Sequence, residues 1–151
     1  MIQYIQTMLR KVDRSRSREG YSFISDKRFD AITVPVRKKG AIIIRGGEDA
    51  EKHLDSVGAN AACLGDVLIF RQNVTISEVL EETRHFEQNL TGLNSNKPHR
   101  IRELLNEIDA KEFILQNAKK YSVPQKELDE TKEQLKFYRT PLSYYGEAKH
   151  V

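Results

Sequence analysis

The chain has 151 residues, a formal net charge of +3, one cysteine and no tryptophan, with 38% of its residues apolar and 31% charged. That length supports one domain, with a modest core under a heavily charged surface. A single thiol excludes an internal disulfide and a cysteine-rich metal site, and no uncharged apolar run approaches the roughly 20 residues of a membrane span. The N-terminus carries no signal-peptide pattern, so synthesis in a reducing cytoplasm is expected, with export by a route without a cleaved signal left open.

The charge is unevenly spread. Residues 1–45 hold 11 Lys/Arg against 4 Asp/Glu, a balance of +7, and the rest of the chain balances at −4. Ile2, Ile5, Leu9 and Val12 have the spacing of a short amphipathic helix. Residues 10–18 (RKVDRSRSR) lack an apolar pattern and read as a linker. The basic N-terminal half could contact nucleic acid or another anionic surface, or the linker could be a solvated tether. No aromatic residue is interleaved among the arginines to stack on single-stranded bases. Residues 1–20 are therefore set apart from one domain over 21–140.

Residues 31–36 (AITVPV) and 41–45 (AIIIR) are β-branched runs separated by a basic segment ending in Gly40. They read as two strands and a turn, with Pro35 placing the first at a sheet edge or outside the sheet. Gly46-Gly47 breaks the chain, and residues 48–56 read as a short helix stopped at Gly58. A third strand is expected at residues 66–70, opened by the turn signal Gly65-Asp66.

The stretch 74–90 (VTISEVLEETRHFEQNL) begins with a capping box, Thr75 and Glu78, and places Val74 and Val79 at staple positions. Ile76, Val79, Leu80, Thr83, Phe86 and Leu90 line one face of this helix. Glu78, Glu81, Glu82, His85, Gln88 and Asn89 line the other. After a loop at 94–98, a long helix is expected from about residue 100 to 120, with Ile101, Leu104, Leu105, Ile108 and Leu115 as its main stripe. Glu112 falls in that stripe and Glu107 beside Ile114 and Ala118. A buried carboxylate needs a partner, a metal or a shifted pKa. A last helix follows Pro124, with Leu128, Thr131, Leu135 and Tyr138 facing inward, and Pro141 is expected to end it, leaving a flexible tail at 141–151. The fold class is α+β: a sheet of about three strands in the first half, packed on the motif helix and a C-terminal helical hairpin.

Two ligands four residues apart share a helix face, which is the mechanical basis of the H-E-x-x-H zinc motif. Residues 81–85 are Glu81-Glu82-Thr83-Arg84-His85, with glutamate in place of the first histidine, and Asn106-Glu107-Ile108-Asp109-Ala110 follows on the next long helix. In this order of elements the chain resembles zincin-like metallopeptidases whose third ligand is a glutamate. It resembles most the small zincin-like modules of bacterial polymorphic toxins and prophage head-associated proteins, through the E-E-x-x-H-x-x-Q pattern of Glu81, Glu82, His85 and Gln88. The resemblance spans about residues 66–138.

It implies metal-dependent hydrolysis of a peptide or similar amide bond, with a divalent ion, zinc first, held by His85, Glu107 and Glu81, and with Glu82 as general base. Gln88 and Glu112 are further polar candidates. A protein or peptide substrate and an immunity protein are the partners implied, in a secreted or virion-associated setting. The departure has a cost, since glutamate for histidine puts oxygen where zinc usually has nitrogen and adds negative charge, making bound water less acidic. Two other readings stand beside this one. His85 with Glu82 or Glu81 could cleave RNA without metal, or the chain could be an interaction module whose polar stripe is an ordinary helix surface with a Glu81–His85 pair.

Overall fold

The computed structural model describes Arg18 and residues 20–145. The expected helix at 2–12 and nearly all of the basic run lie outside those residues, as do residues 146–151. The described elements run α1 (Asp26–Lys38), β1 (Ile42–Arg45), α2 (Glu48–Val57), β2 (Ala61–Leu64), β3 (Val67–Phe70), α3 (Ile76–Thr91), α4 (His99–Gln116) and α5 (Gln125–Ser143). Five helices and a three-stranded mixed sheet make an α+β fold, as expected.

The sheet order is β1-β3-β2, with β3 parallel to β1 and antiparallel to β2. The central strand is apolar along its whole length because both its faces are covered. Leu68 and Phe70 join Phe29, Val36, Val74, Ile76, Val79, Leu80 and Phe86 in the main core, between the sheet, α1 and α3. Ile69 turns the other way, onto Ala50 and Leu54 of α2 with Ala59 and Ala62. A third cluster, Ile101, Leu104, Ile108, Leu135, Tyr138 and Leu142, joins α4 to α5 as a helical hairpin. No described helix is long and apolar enough to cross a membrane.

Two strand assignments are corrected. Residues 31–36 are helical, inside α1, with Pro35 in its interior. Ser25 caps the helix by accepting from the Arg28 amide at 3.2 Å, and Phe29, Thr33 and Val36 form a buried stripe at i, i+4, i+7. Burial of that stripe overrides the β-branched propensity, and exposed Pro35 costs one bond near the helix end. The third strand is β2, whose Ala-Ala-Cys-Leu sequence has little β signal. Gly65 (φ +64°) and Asp66 form the two-residue turn of a β2–β3 hairpin, with Leu64 opposite Val67. The C-terminal boundary also moves. Pro141 does not end α5, and Leu142 is fully buried in the α4–α5 cluster, so the expected tail cannot begin at 141.

Candidate metal centre

The local chemistry of α3 fixes where its polar side chains point. Thr75 Oγ1 accepts from the Glu78 amide at 3.2 Å and Glu78 Oε1 accepts from the Thr75 amide at 2.9 Å, closing the capping box. Arg18 grips the same carboxylate with two bonds, at 2.8 and 3.0 Å. Val74 and Val79 are both fully buried, as a hydrophobic staple requires. The helix closes at Gly92, which sits at φ +70° and returns its N–H to the Gln88 carbonyl.

The opposite face of α3 is not a solvated surface. Glu82 and Gln88 are buried, and Glu81 and His85 are largely covered, because α4 packs across them. Glu81, Glu82, His85, Gln88, Glu107 and Lys111 line a cleft of about 310 Å³. Within it, ligand atoms of Glu81, His85 and Glu107 all lie within 4.8 Å of one another. His85 Nε2 is 3.7 Å from Glu81 Oε1 and 3.3 Å from Glu107 Oε1.

A chain of hydrogen bonds assigns the histidine tautomer. Arg84 Nε and Nη2 donate to the two oxygens of Asp109 at 2.9 and 3.1 Å. The Gln88 amide nitrogen donates to Asp109 Oδ2 at 2.7 Å and to the Asn106 carbonyl at 2.8 Å. With two acceptors on its nitrogen, Gln88 must turn Oε1 to His85 Nδ1, at 2.8 Å. His85 Nδ1 therefore carries a hydrogen, and in the neutral ring Nε2 keeps its lone pair for the cleft. This is the arrangement of a metal-binding histidine oriented by an outer hydrogen bond.

Charge is concentrated here. Burial opposes ionisation of Glu81, yet Lys111, with Nζ 2.7 Å from Glu81 Oε2, and His85 outweigh it and hold the carboxyl well below the usual range. Burial likewise disfavours a charged His85, but Glu107 and Glu81 prevail and raise its pKa well above the ordinary value. Glu82 goes the other way. Burial, reinforced by Glu81 and Glu107 against the opposing charge of His85, pushes its pKa up to about 8. Burial also pushes the Cys63 thiol, on the cleft wall, up to about 12, so it offers no thiolate near neutrality.

Glu112 is corrected. It leaves the cleft, half-exposed, to meet Arg139 at 2.8 Å. It was placed in the apolar stripe of α4, but the stripe that is buried (Ile101, Leu104, Ile108) passes to one side of it. Lys111 was not singled out, because a lysine on a charged helix reads as surface, yet it is 4% exposed. Its position four residues after Glu107, on the same helix face, was the available signal. Glu127 is also buried and accepts from the Ser77 amide and hydroxyl at 3.0 and 2.6 Å, at the start of α3. Comparison with protein-family models, curated proteins and solved structures found no match to this chain. The functional reading therefore rests on the cleft itself.

Proposed function

We propose that Glu81, His85 and Glu107 hold a divalent metal ion, zinc first, and that the chain is a zincin-like hydrolase of peptide or related amide bonds. One observation carries the reading: one nitrogen and two carboxylate oxygens from two helices converge, with His85 Nε2 3.3 and 3.7 Å from the oxygens. Ligands at about 2.0–2.1 Å around a tetrahedral ion stand roughly 3.4 Å apart, so the separations of His85 from the two carboxylates suit zinc. The ion would polarise the scissile carbonyl and make water more acidic. Glu82 becomes an ionised carboxylate, able to take a proton from attacking water, once positive charge offsets Glu81 and Glu107. Gln88 holds the His85 ring in place.

A phosphodiester substrate fits this cleft poorly. Glu78, Glu103, Glu127 and Glu130 also line it, so carboxylates face whatever enters. Arg18 also lines the cleft but is tied to Glu78, and among the other basic residues of the first half Lys39 pairs with Glu87 and Arg45 with Asp26. A second reading rests on the cluster's own charge balance. A charged His85 between two carboxylates, with Lys111 on one of them, is already a closed ion-pair network, as in an interaction module without chemistry.

Elemental analysis of the purified chain beside His85→Ala separates the two. About one divalent ion per chain, lost in the variant, is the expected result. No metal in either protein after incubation with zinc or manganese overturns the proposal and favours the interaction module.

A further inference from the structure

We propose that Lys111 limits Glu81 to one metal-facing oxygen, and that the site thereby selects a small tetrahedral ion, zinc, over larger oxygen-seeking ions such as manganese or calcium. The inference rests on the metal reading above and adds to it the residue that sets the ion's identity. Glu81 is divided between two roles by its own atoms: Oε1 lies on the His85 side, and Oε2 is held by Lys111 Nζ at 2.7 Å. Lys111 is 4% exposed and stands one helical turn beyond Glu107, so α4 presents a ligand and this clamp to the same cleft.

Two consequences follow. Larger hard ions take six to eight oxygens and favour carboxylates that bind through both, whereas zinc is satisfied by four ligands. With Oε2 occupied, Glu81 offers the arrangement that suits zinc. The charge also balances. Counted formally, three carboxylates with Lys111 bring a net charge of about −2, the same as two histidines, one glutamate ligand and a glutamate base. Lys111 thus offsets the charge brought by glutamate at the first ligand position.

The test uses the full chain stripped with a chelator, then titrated separately with zinc and manganese against a chromophoric competitor. Lys111→Met should lower the zinc-to-manganese affinity ratio by about tenfold or more, because it frees an oxygen and leaves an added negative charge. Adding Glu81→His to Lys111→Met should restore the preference for zinc, since imidazole brings neither. An unchanged ratio in folded Lys111→Met overturns the proposal, as does a lowered ratio that persists in the double variant. If Lys111→Met is unfolded without metal, the ratio of the zinc and manganese concentrations that refold it is compared with the wild-type affinity ratio instead. A shift toward manganese supports the clamp, and no shift refutes it. A wild-type chain that takes up neither ion overturns the underlying metal reading, which is a distinguishable result.

Discussion

Replacing Glu82 with glutamine removes a titration without removing the side chain. In the metal-free chain, burial raises this carboxyl from an ordinary 4.5 to about 8. Between those values the folded chain holds a proton that the unfolded chain has lost. Stability therefore falls as pH rises through the window, at up to about 1.4 kcal/mol per pH unit, and levels off above it. The full window corresponds to a ceiling of about 5 kcal/mol, reduced where the neighbouring charges of the cluster readjust together. Glutamine keeps the shape and never ionises. Glu82→Gln should match wild type near pH 5 and exceed it at pH 8.5 by about 1–3 kcal/mol, or roughly 3–10 °C in Tm for a domain of this size. Thermal unfolding in chelator, at a series of pH values, measures this directly. On the proposed metal reading the same variant should retain metal while losing hydrolysis, because that reading makes Glu82 the base and not a ligand. A Tm difference that does not change with pH, or a variant less stable than wild type at pH 8.5, would refute the buried-carboxyl argument.

Two further outcomes test the surroundings of the site. Gln88→Leu should weaken metal binding by about 10–100-fold, since the imidazole loses the acceptor that fixes its tautomer, and chelator competition would reveal an unaltered affinity if that is wrong. Glu112→Ala should leave metal uptake unchanged and alter stability by less than about 0.5 kcal/mol, because its partner is the half-exposed Arg139; metal loss in that variant would place Glu112 back in the site.

Local signals with a mechanism survived translation into structure. The Thr75–Glu78 box and the Gly58 stop mark true helix ends because each satisfies a specific backbone group. The run at 31–36 misled because its β-branched residues were read apart from Phe29, which lies upstream and sets the helical stripe. β2 was hidden by the opposite fault, since Ala62 packs against α2 and Ala61 against the main core without any intrinsic preference for a strand. The site followed the same division. Glu81 and His85 share a face by helical arithmetic alone, and Glu107 was legible as an awkward carboxylate. Which face of α4 turns toward them depends on tertiary packing, and that decides in favour of Lys111 and against Glu112.

Glu81, Glu82, His85, Gln88, Glu107 and Lys111 all stand on two packed helices and none on a connecting loop. On the metal reading proposed above, no swing of a short surface segment could free a bound ion. Its departure would require the ligands to let go one at a time, or α3 and α4 to separate, and the second route runs on the timescale of local unfolding and not of side-chain rotation. An ion so held would behave more as a part of the fold than as a passing ligand.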